Sequence, residues 1–294
     1  LAEYQLYFGG APKTQFKMDA EGKLELVKES RFLLYYGMRL FFDNGGGPCW
    51  VTSVGPYTNN ENPPAFTQKS AEALIAPLDE LKKEPEPTMI VVPDAVLFDN
   101  IDDWQKVSQQ ALSHCGKLMS RIAVLDVYNG DKARTHDDED AVSGGDKGFR
   151  NKIGSDYLSY GVAYYPWLKT SIVEAGDVDF TCIASDSRDS LEGFIKSMND
   201  EQQQAFGTFL DTAKDAGAKA PQSTRAHQAL FTASKSYRDK MKEIQEQLNL
   251  LPPSAGIAGV YTRVDNTQGV FKAPANTGIN SVVAPTVNIS HEDQ

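Results

Sequence analysis

Two short apolar runs with a helical segment between them constrain the fold most. The runs are Met89 to Val92 and Arg121 to Tyr128, both rich in β-branched residues. Continuous apolar runs of this length are typical of strands buried on both faces of a sheet. Between them, residues 104–119 carry apolar side chains at helical spacing, which predicts an amphipathic helix capped by Asp102 or Asp103. Strand, helix and strand together predict a parallel βαβ unit.

The remaining patterns predict an α/β fold with a central mixed, partly parallel sheet flanked by helices. From Gly256 onward the chain is rich in Gly, Pro, Asn and β-branched residues, which predicts an extended or looped C-terminal segment. We therefore expect an outer body at residues 1–250 and an extended connector at 251–294. Further helices are predicted at 29–43, 69–83 with a break or kink at Pro77, 187–216 and 224–250, and further strands at 49–54 and 180–184.

Two segments without a clear period differ in polarity. Residues 129–155 contain the acidic run Asp137 to Asp140 and a Gly pair, which predicts a mobile surface loop too polar to bury. Residues 156–167 are dense in aromatic side chains, which predicts a packing centre. The end of this second segment, Tyr165, Pro166 and Trp167, is expected in the core rather than at an interface.

Charge and cysteine content exclude several classes of protein. A formal net charge of -11 repels phosphate backbones and anionic lipid surfaces, so nucleic acid is not an expected partner. Cys49, Cys115 and Cys182 are widely spaced with no CxxC pair, which predicts reduced, mostly buried thiols and no zinc site. No apolar run is long enough to predict membrane insertion.

Aspartates near the ends of the two predicted strands are the candidates for chemistry. Asp94 and Asp126 would suit an α/β metal-dependent, hydrolase-like enzyme if both converged in a pocket with a third polar group. A Pro-Asp turn at Asp94 and an ordinary loop entry at Asp126 are favoured over this enzyme interpretation, because no His or Lys has a supporting spacing. The acidic run 137–140 lacks the alternation of a calcium loop, although it could bind a basic partner. We assign no catalytic residue, no metal ligand and no cofactor.

Several longer runs point to a family. Residues 253–276 read PSAGIAGVYTRVDNTQGVFKAPAN, and upstream lie YFGG at 7–10, FFDNGGGPCWVTSVG at 41–55, VVPD at 91–94, RIAVLD at 121–126 and AYYPWL at 163–168. In this order they resemble the contractile tail sheath proteins of phages and of related contractile injection systems. The resemblance covers nearly the whole chain, and the run at 253–276 is its most specific part.

The resemblance implies a structural protein and not an enzyme. Sheath subunits stack helically around an inner tube and contract, which drives the tube through a target envelope. The implied partners are neighbouring copies, the inner tube protein, and baseplate and cap components, assembled in the cytoplasm into a phage tail or a phage-tail-like injection device. The family's N-terminal arm and C-terminal domain have no counterpart here, so we expect a fragment that is monomeric or weakly associated by itself.

Residues of the family run are the candidate assembly positions. Arg263 and Asp265 are expected to anchor the extended segment by charge-assisted hydrogen bonds, and Lys272 to pair with an acid. Pro274 is expected to stiffen the exit from the segment. Local packing without any assembly contact stays open as an alternative. Tyr261 and Asn276 belong to the same run.

Overall fold

A computed structural model describes residues 1–59, 65–67, 69–191, 193 and 220–289. The chain forms two compact units. Unit 1 comprises residues 1–11, 32–172 and 250–294, and unit 2 comprises residues 12–31 and 173–249. Within the described ranges, no helix has the length and hydropathy of a membrane span.

The elements are numbered along the described chain. The helices are α1 (Ala2–Phe8), α2 (Leu34–Asp43), α3 (Ala71–Ile75), α4 (Pro77–Leu81), α5 (Ile101–Leu118), α6 (Phe149–Lys152), α7 (Ala220–Ala233), α8 (Lys235–Leu248) and α9 (Ser254–Gln268). The strands are β1 (Phe16–Met18), β2 (Leu24–Leu26), β3 (Met89–Val91), β4 (Ile122–Asp126), β5 (Gly161–Tyr164), β6 (Leu168–Thr170), β7 (Leu250–Leu251) and β8 (Val282–Pro285).

The parallel βαβ unit is confirmed in unit 1. β3 and β4 pair in parallel with α5 connecting them, and β5 adds a third parallel strand beside β4. The N-cap of α5 is Asn100, whose side chain accepts a hydrogen bond from the Asp103 N–H at 2.9 Å, so the predicted capping residue is wrong. At the other end Met119 has φ 55 and is exposed, so the buried stripe of the helix stops before it. The α/β class is thus confirmed.

A second, antiparallel sheet of unit 1 has the order β7, β6, β8. β7 and β8 come before and after α9, so both flanks of that helix pair with the same central strand. The prediction of an extended segment from Gly256 is wrong for residues 256–268, because Ser254–Gln268 is helical. Small residues that weaken a helix in isolation are favoured here, because they let α9 pack closely on a neighbour. The division at residue 251 into a body and a connector stays a prediction.

Other elements of unit 1 follow the sequence patterns in part. α2 begins later than predicted and ends at Asp43, with Asn44 as its C-cap and Gly45 after it at φ 92. The predicted break at Pro77 is confirmed, since α3 ends at Ile75 and Pro77 opens α4. The strand predicted at 49–54 is wrong, because none of these residues lies in a strand. In the aromatic segment Tyr157 and Leu158 are exposed, so the packing centre covers only its later part.

Unit 2 combines a short hairpin with helices. β1 and β2 pair in an antiparallel ladder, and Phe16 of β1 is fully buried. Residues 180–182 form a 3-10 turn, so the predicted strand at 180–184 is wrong, and only Ile183 bridges to Phe16. Most of the helix predicted at 187–216 lies outside the described residues. The predicted helix at 224–250 is divided at Ser234, which caps α8. Its predicted apolar face is buried, namely Leu230, Tyr237, Met241, Ile244 and Leu248.

Candidate functional site

The most distinctive surface of unit 1 is built on α9 and the loop that follows it. α9 lies against α2 at short range because its packing face carries glycine. A Cβ at Gly259 would collide with the carbonyl oxygen of Phe41, and one at Gly256 would lie 3.0 Å from Leu40. Only glycine permits such a close approach of two helix backbones. The glycines of the run 253–276 therefore have a structural role in the α2–α9 contact.

The N-terminus of α9 is held by Asp126 at the end of β4. One Asp126 carboxylate oxygen accepts a hydrogen bond from the Ser254 N–H at 2.7 Å, and the other accepts one from the Ser254 hydroxyl. Burial raises the pKa of Asp126 to about 7, and the two bonds from Ser254 act in the opposite direction. Sequence reasoning missed this contact because its partners are 128 residues apart.

Residues 269–281, here called the return loop, lead from the end of α9 back to α2. The loop starts at Gly269, whose φ of 93 favours glycine. Its end is fixed by the buried Asn44, which accepts from the Asn280 N–H at 2.7 Å and donates to the Asn280 carbonyl at 3.2 Å. Arg263 donates to the Gly278 carbonyl at 2.6 Å. The base of the loop is therefore tied to two helices.

The tip of the return loop, Val270 to Lys272, faces solvent. Val270 is 84% exposed and Phe271 is 88% exposed, the largest exposed fraction among the large hydrophobic residues described. Lys272 is also exposed and forms none of the ion pairs found among the described residues. An aromatic side chain on a fixed loop is a typical anchor for a protein partner.

The other candidate positions of the same run differ in exposure. Asp265 is exposed on α9, Pro274 is half-buried, and Asn276 is exposed with φ 53. The Tyr261 hydroxyl lies 2.5 Å from the Tyr164 hydroxyl, and their rings meet edge to face. The structure thus brings Tyr261 and Arg263 into contacts within unit 1, while the roles of all these residues in assembly stay predictions.

The residues predicted for the core at 165–167 line the turn between β5 and β6. Trp167 is buried and donates its indole N–H to the Val127 carbonyl at 3.2 Å. Pro166 is buried, and the half-buried Tyr165 donates its hydroxyl to the Lys132 carbonyl at 2.7 Å. These contacts place Pro166 and Trp167 inside unit 1 and leave part of the Tyr165 ring accessible.

The two strand-end aspartates belong to different local contacts. Asp94 accepts the Leu33 N–H at 2.5 Å at the start of α2, whereas Asp126 accepts from Ser254. A cavity beside Asp126 has a volume of about 10 Å³, about the room that one water molecule needs, and is lined mainly by apolar side chains. Within the described ranges, no three His, Cys, Asp or Glu side chains cluster as metal ligands do.

The acidic run contains one residue that is fully buried. The Arg134 Nε atom lies 3.0 and 2.9 Å from the two carboxylate oxygens of Asp140 and donates to them. The same oxygens accept hydrogen bonds from backbone N–H groups of the loop. The prediction that this run is too polar to bury is therefore wrong for Asp140, because internal donors replace water. Asp137 to Glu139 remain exposed.

The three cysteines are free, but their environments differ from the prediction of mostly buried thiols. Cys115 is buried in α5 and Cys182 is half-buried in unit 2. Cys49 is exposed and precedes Trp50, which is also exposed. The Trp50 indole N–H donates to a Glu86 carboxylate oxygen at 3.3 Å. An aromatic ring and a carboxylate thus share one accessible surface of unit 1.

Comparison with known proteins gives likenesses to solved structures and none to a protein family. No family model matches the chain, and no curated protein matches it. A chain in a cryo-EM structure of the anti-feeding prophage baseplate, six-fold symmetrised, is similar over 90% of this chain with 18% sequence identity and a TM-score of 0.44. This chain spans 43% of that baseplate chain. At this identity and TM-score the likeness supports no statement about activity, partners or assembly.

Proposed function

We propose that this chain is a structural subunit of a contractile sheath. The subunit would polymerise helically with copies of itself around an inner tube, and contraction would drive the tube through a target envelope. The observation that carries the proposal is the run at 253–276, together with the shorter runs that precede it in the order found in sheath proteins. Its assembly partners would be the tube protein and baseplate and cap components of a phage tail or a related device assembled in the cytoplasm.

The geometry of that run supports a structural role. Its first half forms α9, where glycines allow close contact with α2, and its second half forms the return loop. Buried residues of the run hold the helix in unit 1, whereas Val270 and Phe271 are left in solvent. Large apolar side chains on a fixed loop cost free energy in water, so their exposure favours a contact surface for another protein.

Contraction of such a subunit requires no bound nucleotide. Different patches on one subunit that meet head to tail build an open helix. A more compact lattice with better contacts then releases free energy when many subunits move as rigid bodies. The free energy for tube movement would be stored in the extended lattice at assembly.

The enzyme alternative lacks a supporting observation among the described residues. It requires Asp94 and Asp126 to converge with a third polar group in a pocket large enough for a substrate. Each carboxylate instead accepts a backbone N–H at the start of a different helix. The cavity beside Asp126 has room for about one water molecule. No reaction is proposed for this chain.

Electron microscopy of the full-length natural protein, expressed alone and with its tube partner, tests the proposal. We expect tubes or rings of regularly stacked subunits in at least one of the two samples. Dispersed monomers in both samples, at concentrations where other sheath proteins assemble, would contradict polymerisation. An activity screen with Asp94→Asn and Asp126→Asn variants would then test the enzyme alternative.

A further inference from the structure

The return loop presents its tip in a fixed position. Asn280 and Asn44 exchange hydrogen bonds at the base of the loop, and the Ser281 hydroxyl donates to an Asp43 carboxylate oxygen at 2.6 Å. Arg263 adds a bond to the Gly278 carbonyl. Because the base is already ordered, the return loop loses little conformational entropy when a partner binds the tip. The tip carries an exposed aromatic ring, Phe271, followed directly by a cation, Lys272.

A second surface of unit 1 carries the complementary pair of groups. Trp50 is 53% exposed, and Glu86 beside it is exposed and accepts the indole N–H. The indole offers an aromatic face of the kind that packs with a phenylalanine ring or a lysine cation. The Glu86 carboxylate can accept further hydrogen bonds from an ammonium group, because a carboxylate has about four acceptor sites.

The net charge of the chain limits how two copies can meet. At -11 each, two copies repel one another, so a stable contact gains from placing a basic group of one copy on an acidic group of the other. The two surfaces are complementary in chemistry. The Phe271 ring would pack on the Trp50 ring, and the Lys272 cation would pair with the Glu86 carboxylate. The two surfaces consist of different residues, so each copy carries both.

We infer that the tip of the return loop, Val270 to Lys272, docks on the Trp50 and Glu86 surface of a second copy of this chain. This inference rests on the proposed function, since a helical sheath requires copies in contact. In a helical sheath the contact would be heterologous, and its repetition would give an open head-to-tail chain, whereas a reciprocal contact would give a closed pair. A small contact of this kind is weak in isolation and gains strength when many copies assemble.

Disulfide trapping tests the contact on the chain as it exists. Cys49 is exposed and adjacent to Trp50, so Ala273→Cys places a partner thiol beside the intact tip. After mild oxidation we expect a ladder of dimers, trimers and longer species on a non-reducing gel. The ladder should vanish in Ala273→Cys/Cys49→Ser. Lys242→Cys, at a side chain 73% exposed elsewhere, measures random collision. Yields equal to this control would overturn the inference, as would closed dimers alone.

Charge reversal separates a specific contact from general adhesion. In the Ala273→Cys background, Lys272→Glu and Glu86→Lys should each lower the ladder yield about two- to fivefold, and the two together should restore it. Phe271→Ser should lower the yield about tenfold or more, because it removes the aromatic anchor. Thermal unfolding of each variant checks that the fold is retained. No restoration by the double reversal would count against the pairing of Lys272 with Glu86.

The same variants in the full-length protein distinguish this inference from the proposed function. Tubes that form without the 273–49 cross-link would overturn the docking and leave the sheath proposal standing. A ladder without tubes would support the docking and contradict the sheath. If cross-linked tubes form and Phe271→Ser prevents their assembly, both proposals are supported.

Discussion

The pKa values of two buried carboxyl groups of unit 1 are shifted in opposite directions. Asp126 is 5% exposed and Asp140 is 0% exposed, so burial hardly distinguishes them. The pKa of Asp126 is raised to about 7, chiefly by burial. Burial acts on Asp140 in the same direction, yet hydrogen bonds from the Ser143 and His136 N–H groups and from Arg134 bring its pKa well below the ordinary value.

The difference lies in the donors. Asp126 receives its two hydrogen bonds from a single neutral residue, Ser254. Asp140 accepts hydrogen bonds from the charged guanidinium of Arg134 and from several backbone N–H groups of the loop that folds around it. A carboxylate held by three or more donors stays ionised even when buried, whereas one with few neutral donors binds a proton. The number and charge of donors therefore decide the state of a buried acid.

The largest expected effect is a pH dependence that Asp126→Asn removes. The native pKa of about 7 exceeds the ordinary 3.8, so between these values the folded chain holds a proton that the unfolded chain releases. The stability from this group is full below about pH 4 and falls by up to about 4 kcal/mol as pH rises to about 7. All three tryptophans lie in unit 1, so their fluorescence in denaturant titrations at pH 4 to 8 reports its unfolding. Identical pH profiles for parent and variant would contradict the assignment.

The next largest effect is expected for Asp140→Asn at pH 7. The variant leaves the Arg134 guanidinium without its carboxylate and weakens the bonds from the loop, so we expect a loss of about 3 kcal/mol in the free energy of unfolding. Asp138→Asn is the matched control, because Asp138 is exposed in the same loop and should cost less than about 0.5 kcal/mol. Similar losses in the two variants would show that the buried ion pair has no special role.

Ser254→Ala is expected to cost about 1 kcal/mol, because it removes one donor while the backbone N–H to Asp126 remains. Since the bond from the Ser254 hydroxyl lowers the pKa of Asp126, its loss should also raise the pH range over which unfolding depends on pH. The comparable variant at the other site is Ser143→Ala, which removes a hydroxyl donor to Asp140. It should leave the pH profile unchanged, because other donors keep Asp140 ionised.

The smallest effect is expected for Arg134→Lys, at about 0.5 kcal/mol. The substitution keeps the positive charge near Asp140 but loses the Nε donor that contacts both carboxylate oxygens. The free energy of unfolding at pH 7, measured for this variant and for Asp140→Asn, separates the contribution of the positive charge from that of the donor geometry. A loss as large as that of Asp140→Asn would mean that donor geometry, not charge, dominates this site.

Local patterns predicted much of the fold. The apolar runs at β3 and β4 and the stripe on α5 identified the parallel unit, since strands buried on both faces and amphipathic helices have distinct periods. The apolar face of α8 was also predicted from the sequence, because its apolar residues recur every three to four positions. The run at 253–276 marked the candidate site before its geometry was known.

Contacts between distant parts of the chain could not be predicted from the sequence. α9 shows little apolar periodicity and contains two glycines in its first turns, so only its contact with α2 explains why it is helical. The burial of Asp140 likewise required the loop around it to supply donors. The 88% exposure of Phe271 has no sequence signature, since the burial of a loop side chain depends on what packs against it in the fold.

The sequence by itself determined the α/β class, the βαβ unit and the family resemblance, because each depends on residues that are close together along the chain. It also determined the net charge of -11, which depends on composition alone. Tertiary structure alone decided where α9 packs, which acids are buried and which apolar side chains remain in solvent. Those outcomes depend on free energies shared between residues as far apart as Asp126 and Ser254, at a separation of 128 residues. Burial, hydrogen bonding and close backbone approach act through space, and so no local pattern encodes them.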